Sequence, residues 1–198
     1  MLEGNIGWIT ISDFDHHCAE QTIQCMKDML NGGAEALIFD VRFNPGGLKD
    51  EMLKILDAIL PKGVLFRSKD YAGREEMDYS DTACLNIHMA VLINEDSYSA
   101  AEFFAAAMQE YGAATIIGAQ TVGKGNFQVT MPLSDGSAVA ISVGKYYTPE
   151  GKSLEGKGLL PDQVVPVDKQ TADKIYAGTL APEDDAQLQA AIGALKQP

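Results

Sequence analysis

Basic residues are scarce in this chain of 198 residues: 15 Lys and Arg stand against 28 Asp and Glu, which gives a formal net charge of −13. A protein of that charge repels polyphosphates and anionic lipid surfaces, so the sequence predicts no nucleic-acid partner. No apolar run is long enough to cross a bilayer, and residues 1–4 lack the basic and apolar regions of a signal peptide. Hydrophobic residues still form 46% of the chain, enough to predict a folded core.

Cysteine is equally sparse. Cys18, Cys25 and Cys84 are odd in number and form no CxxC pair, which excludes a disulfide framework and a zinc knuckle. Free cysteines are usually covered by other residues, so we expect all three to be buried or half-buried thiols.

Short apolar runs and helical patterns alternate along the chain, which predicts an α/β fold. Strands are predicted at 6–11, 36–41, 64–67, 88–93 and 115–117, and helices at 19–30, 52–60 and 100–111. The polar segment 69–82 is interpreted as a surface excursion or hairpin. Residues 127–133 and 138–146 flank a tight turn and predict an appended β-hairpin. We divide the chain into a core, 1–167, and a C-terminal connector with a helix, 168–198.

Ser99 holds the position most suggestive of chemistry. It follows the apolar strand 88–93 and a short polar loop, and it begins a helix of small residues. A serine there is by default an N-cap. The same position also suits a nucleophile, because the amide of Ala100 at the helix N-terminus can receive the negative charge of an oxyanion.

A nucleophilic serine needs a base, and the three histidines, His16, His17 and His88, are poorly placed in the sequence to supply it. Lysine can serve where burial removes water from an ammonium group and so lowers its pKa. Lys124, between two glycines, is the candidate. A lysine in that setting is more often a loop charge, so the local pattern leaves both roles open.

Five segments in order closely resemble the C-terminal processing peptidases, also called tail-specific proteases. They are DVRFNPGG at 40–47, NEDSYSAAE at 94–102, GAQTVGKGNFQ at 118–128, KYYTPEG at 145–151 and GKGLLPD at 156–162. The resemblance extends from about residue 5 to residue 167. It implies a crotonase- or ClpP-like α/β core and a serine endopeptidase that cleaves proteins or peptides near their C-termini, with no metal and no organic cofactor.

The resemblance also implies roles for particular residues. Ser99 would attack the scissile carbonyl, Lys124 would accept its proton, and Gln128 would hold the lysine amine in line. Gly46 or Gly47 would donate a second amide to the oxyanion, opposite the amide that follows Ser99. The sequence does not decide between the two glycines.

Three further residues receive less direct roles. Asp40 and Arg42 are interpreted as an ion pair at the end of a strand. Glu102 is interpreted as a structural residue that the helix dipole favours. Tyr98 replaces the small residue usual before the nucleophile, and we expect it to narrow the pocket or shield the dyad.

Members of the family typically carry an N-terminal anchor or signal and a PDZ domain that delivers the substrate. We therefore expect a PDZ domain or a partner chain to deliver the substrate, and the native protein to act outside the cytoplasm. The oligomeric state is open. The alternative is a non-catalytic ligand- or peptide-binding module on the same fold, since a fold does not fix a function. The serine, lysine and glutamine together argue against that alternative.

Overall fold

The computed structural model describes residues 1–81 and 84–196 and contains nine strands and five α-helices in that part of the chain. In chain order they are β1 (Ile6–Thr10), α1 (Cys18–Asn31), β2 (Ala36–Asp40), α2 (Lys49–Ile59), β3 (Gly63–Asp70), β4 (Glu75–Ser80), β5 (His88–Ile93), α3 (Ala100–Glu110), β6 (Thr115–Gly118), β7 (Asn126–Pro132), β8 (Ala138–Tyr147), β9 (Gln163–Val164), α4 (Lys169–Tyr176) and α5 (Ala186–Leu195). The predicted α/β class is confirmed.

The central sheet is parallel, in the order β1-β2-β5-β6-β9. All five residues of β2 are buried because both faces of the sheet are covered. Leu37 and Phe39 pack in the core with α1, α2 and α3, whereas Ala36 and Ile38 pack in a second core with α5. The run at 36–41 predicted a strand buried on both faces, and this prediction is confirmed.

A buried cluster of charges fastens α5 to the end of β2. The Arg42 guanidinium donates to Asp40 through Nε and Nη2, at 2.9 and 2.6 Å. Its Nη1 lies 2.9 Å from an Asp185 carboxylate oxygen and 3.0 Å from Gln187 Oε1. The predicted pair of Asp40 and Arg42 is confirmed, and it also reaches the first turn of α5. Within the predicted segment 168–198, residues 197 and 198 lie outside the described residues.

The second sheet is antiparallel, in the order β4-β3-β8-β7. The predicted hairpin is present as β7 and β8, but it is not a separate appendage, because β8 also pairs with β3. The polar segment 69–82 supplies the end of β3 and all of β4; residue 82 lies outside the described part. Packed aromatic rings join the two layers: the ring centroid of Phe103, in α3, lies 4.9 Å from that of Phe66 and 5.7 Å from that of Tyr146.

Two local expectations differ from the structure. Cys18 and Cys25 are half-buried, but Cys84 is exposed in the loop before β5, so the prediction of a covered thiol was wrong there. The predicted connector also contains a helix, α4. It follows Asp168, the N-cap, whose carboxylate accepts the Thr171 amide at 2.8 Å. None of its side chains is buried, so it leaves little apolar pattern to detect. No helix in the described ranges is long and apolar enough to span a membrane.

The sheet order places three loops together. β2, β5 and β6 are parallel neighbours, so the loops that follow them leave the same edge of the sheet. Those loops carry residues 41–48, 94–99 and 119–125. These loops contain the glycine turn (Gly46 and Gly47), Ser99 and Lys124. Residues that are distant in sequence therefore lie at one edge of the sheet.

We predict that Arg42→Ala lowers the free energy of unfolding by about 3–5 kcal/mol, because it leaves the Asp40 and Asp185 carboxylates buried without a cation. Urea denaturation measures the change. Arg74→Ala is the matched control, since the Arg74 side chain is 84% exposed in its pair with Asp70 and should leave the urea midpoint unchanged. Equal midpoints for both variants would contradict the structural role of Arg42.

Candidate active site

Ser99 lies at the junction between the loop after β5 and helix α3, in an unusual backbone conformation with φ 56° and ψ −114°. A non-glycine residue rarely adopts positive φ, and such strain persists only where neighbouring contacts hold it. The Ser99 amide donates to Glu102 Oε2 at 2.8 Å, and the Tyr98 amide donates to the Asn44 carbonyl at 2.9 Å. Ser99 is half-buried and lines a cavity of about 380 Å³.

Buried side chains tie the loop after β5 to the loop after β2. The Ser97 hydroxyl donates to the Val41 carbonyl at 2.8 Å. Asn94 Oδ1 accepts the Phe43 amide, also at 2.8 Å. These bonds fix the glycine turn relative to Ser99, because each one joins the two loops directly.

Glu102 joins the loop that ends at Ser99 (94–99, the serine loop) to the loop that contains Lys124 (119–125, the lysine loop). Its side chain is fully buried, and its two oxygens accept four hydrogen bonds. They come from the Ser99 amide (2.8 Å), the Thr121 hydroxyl (2.5 Å), the Gly123 amide (2.6 Å) and the Lys124 amide (3.0 Å). Since hydrogen bonds to a buried carboxylate are strong, one side chain fixes the backbones of both Ser99 and Lys124.

The Lys124 side chain enters the same cavity and is half-buried. Its Nζ lies 3.5 Å from Gln128 Oε1 and 4.9 Å from the centroid of the Tyr98 ring. Among the hydrogen bonds of the described residues, none joins Lys124 Nζ to the Ser99 hydroxyl. The structure thus brings Ser99, Lys124 and Gln128 to one cavity, with the lysine amine directed at the tyrosine ring and the glutamine.

Tyr146 connects the same two residues from the second sheet. Its buried hydroxyl donates to the Lys124 carbonyl and also contacts the Ser99 side chain. Burial raises the pKa of Tyr146 well above its ordinary value, and the nearby charge of Glu102 adds to the increase. The phenol therefore stays protonated at neutral and mildly alkaline pH and remains a donor to the Lys124 carbonyl.

Two residues that line the cavity, Gly47 and Ala100, have backbone amides without an acceptor in the described structure. The Gly46 amide is already engaged, because it donates to Asn44 Oδ1 at 2.7 Å. Gly46 has another constraint: a Cβ there would lie 2.8 Å from the Ser99 Cβ, too close for any other residue without displacement. Gly46 thus allows the close approach, while the amide of Gly47 is available.

The cavity has an apolar wall and a charged rim. The wall is formed by Leu48, Met52, Phe66, Phe103 and Phe127. Lys49 and Glu76 lie at the rim, where Lys49 is paired with Asp78 at 3.1 Å. Such a cavity suits an apolar side chain beside Ser99. In the described ranges, no cluster of three or more His, Cys, Asp or Glu side chains is arranged to hold a metal ion.

Sequence reasoning missed the roles of two residues. The spacing from Ser99 to Glu102 fits the capping box, S-x-x-E, and could have indicated the bond from the Ser99 amide. The other partners of Glu102 come from the loop after β6, which no local pattern places beside it. Tyr146 lies in a quoted motif, but only the pairing of β8 with β3 and β7 shows where its hydroxyl lies.

Comparison with known proteins gives a consistent result. Residues 5–165 match the sequence profile of Peptidase family S41. The chain is 35% identical over 167 residues to a probable CtpA-like serine protease of Staphylococcus epidermidis (81% of this chain, 33% of the relative). It is 31% identical over 192 residues to a carboxyl-terminal-processing protease of Synechocystis (96% of this chain, 44% of the relative). It therefore spans less than half the length of these relatives.

Solved structures share the fold. The photosystem II D1 C-terminal processing protease superposes with a TM-score of 0.74 at 27% identity, over 84% of this chain and 45% of that protein. A putative S41 protease from Bacteroides fragilis gives a TM-score of 0.79 over 96% of this chain and 54% of that protein. Its identity is 19%, so this likeness concerns the fold alone.

We predict that Glu102→Gln lowers the free energy of unfolding by about 1–3 kcal/mol, because an amide group cannot accept all four hydrogen bonds that the carboxylate accepts. Urea denaturation gives the energy, and hydrogen exchange should show faster exchange at the Gly123 and Lys124 amides. Glu95→Gln, in the exposed part of the loop after β5, is the control and should change neither quantity. Unaltered exchange in Glu102→Gln would contradict this role of the carboxylate.

Proposed function

We propose that this chain, which belongs to peptidase family S41, is a serine peptidase that cleaves protein or peptide substrates near their C-termini. The observation that carries the proposal is the Glu102 carboxylate, which holds the backbones of Ser99 and Lys124 beside one apolar cavity. The family and the α/β peptidase fold predicted from the sequence are confirmed by the profile match and the solved structures.

In the proposed reaction the Ser99 hydroxyl attacks the scissile carbonyl carbon, and the neutral amine of Lys124 accepts the hydroxyl proton. Gln128, whose Oε1 lies 3.5 Å from Lys124 Nζ, orients the amine. The resulting ammonium donates a proton to the leaving amine as the C–N bond breaks. Water then attacks the acyl-serine ester, with Lys124 as base, and releases the acid and the free serine.

The free amides of Gly47 and Ala100 form the proposed oxyanion hole. Neither amide has an acceptor within the described residues, so both are available to receive the charge that develops on the carbonyl oxygen. Gly46 is the weaker candidate for donor, because its amide already donates to Asn44. The geometry thus favours Gly47 of the two glycines that the sequence left open.

The delivery of substrate is a separate part of the proposal. The apolar wall of the cavity supports a preference for an apolar side chain next to the scissile bond. We propose that a PDZ domain or a partner chain brings the substrate C-terminus to this cavity, and that the native protein acts outside the cytoplasm, as the family resemblance implies.

We predict that Ser99→Ala and Lys124→Ala each reduce cleavage of an unfolded polypeptide with an apolar C-terminus by roughly 10³-fold or more, because each removes a participant in bond breaking. Mass spectrometry of the products measures the cleavage. Ser137→Ala and Lys27→Ala are matched controls at exposed positions and should cleave at the rate of the parent protein.

The pH dependence provides a second result from the same assay. The rate should rise as the pH is raised, because only a neutral lysine accepts a proton. Undiminished cleavage by Lys124→Ala would contradict the role of the lysine as base. Binding of the polypeptide without cleavage, in parent and variants alike, would favour the non-catalytic binding module.

A further inference from the structure

The residue before the candidate nucleophile is in contact with the candidate base. Tyr98 is half-buried, and Lys124 Nζ lies over its ring at 4.9 Å from the centroid. The only hydrogen bond of Nζ within the described structure is the one to Gln128 at 3.5 Å, and no ion pair engages it there. The amine of Lys124 is therefore held by an aromatic face and a neutral amide.

This contact favours one state of the lysine. The face of an aromatic ring carries partial negative charge and attracts an ammonium group, but it has no comparable attraction for a neutral amine. At a partly exposed site the preference amounts to roughly 2- to 5-fold. A general base must instead be neutral and in hydrogen-bond contact with the serine hydroxyl. The contact with Tyr98 opposes the first requirement, and no hydrogen bond in the described residues meets the second.

The contact follows from fixed backbones on both sides. The Tyr98 amide is bonded to the Asn44 carbonyl at 2.9 Å. The adjacent Ser97 carbonyl accepts the Val122 amide at 3.3 Å, which ties the serine loop to the lysine loop directly. The Lys124 amide is bonded to Glu102. The ring and the lysine stem are thus both anchored a short distance apart.

Most of the charged and titratable groups around Lys124 have other partners. Glu102 accepts four hydrogen bonds from other groups, and Glu155 accepts the Gly125 amide at 2.5 Å. The neutral Tyr146 hydroxyl is bonded to the Lys124 carbonyl. At the rim, Lys49 is paired with Asp78, and Glu76 lines the same cavity. None of these carboxylates forms an ion pair with Lys124 Nζ in the described residues, whereas the Tyr98 ring lies 4.9 Å from it.

We propose that Tyr98 is a positioning residue that holds the Lys124 ammonium on its ring face, away from the Ser99 hydroxyl, and thereby restrains the reaction until the lysine is released. The proposal rests on the proposed function, since it takes Lys124 as the base and Ser99 as the nucleophile. Removal of the ring should accelerate the reaction of Ser99 near neutral pH, whereas loss of a merely structural residue would slow it.

The test compares Tyr98→Leu, which removes the ring but keeps apolar bulk, with Tyr98→Phe, which keeps the ring face. In protein labelled with ¹³C-lysine, the Lys124 ε-methylene signal is assigned by its loss in Lys124→Arg. We expect the ring to displace this signal upfield in the parent and in Tyr98→Phe. In Tyr98→Leu the signal should return to the position of the exposed lysines.

The second measurement is the rate at which an alkyl fluorophosphonate modifies Ser99. At pH 7 we expect Tyr98→Leu to react roughly 2- to 5-fold faster than the parent, with Tyr98→Phe at the parent rate. The difference should be smaller at pH 10, because a neutral amine gains little from the ring face. A Tyr98→Leu variant that reacts no faster at pH 7, or faster by the same factor at both pH values, would overturn the proposal.

A failure of the proposed function has a different signature. If the lysine signal shifts as expected but Ser99 stays unmodified at every pH in all three proteins, the contact exists and the peptidase reaction does not. That result contradicts the proposed function. It also contradicts the proposed role of Tyr98, because there is then no reaction for Tyr98 to restrain. If the lysine signal is the same in all three proteins, the role of Tyr98 is overturned whatever the activity. Urea denaturation of each variant shows that it is folded.

Discussion

The buried carboxylate of Glu102 is the constraint on which the rest of the site depends. A fully buried charge is unfavourable unless hydrogen bonds compensate it, and here four donors do so. Two of those donors are the amides of Ser99 and Lys124. The hydrogen bonds that compensate the charge therefore also fix the backbones of these two residues. The strained backbone of Ser99 is consistent with this, since a residue at φ 56° needs fixed partners.

The sheet order makes this convergence possible. Parallel neighbours deliver their following loops to one edge, and β2, β5 and β6 each contribute one loop there. The antiparallel sheet then closes the cavity from the other side, where Phe66 and Tyr146 pack on Phe103. Arg42 stabilises the same edge of the sheet, because it joins the end of β2 to α5 through Asp40 and Asp185. The site is therefore built on loops that the packed strands and helices hold in place.

Local sequence patterns predicted the elements whose structure depends mainly on neighbouring residues. The apolar run of β2 and the small-residue helix after Ser99 were predictable because burial and glycine stops leave direct traces in sequence. The pairing of β8 with β3, the three partners of Glu102 in the loop after β6 and the place of the Tyr146 hydroxyl were not, because each depends on contacts between distant segments. The family resemblance selected Ser99, Lys124 and Gln128, and the structure places them in one cavity. The resemblance could not indicate that the Lys124 amine lies over the Tyr98 ring.

The most direct test of the central claim is to trap the acyl-enzyme. A p-nitrophenyl ester of a short apolar peptide is mixed with the protein at mildly alkaline pH, quenched in acid and analysed by mass spectrometry of proteolytic fragments. The account predicts the acyl group on Ser99 in the parent protein and a rate of acylation at least roughly 10²-fold lower in Lys124→Met. Acylation at another residue, or equal acylation of Ser99 in the two proteins, would contradict it.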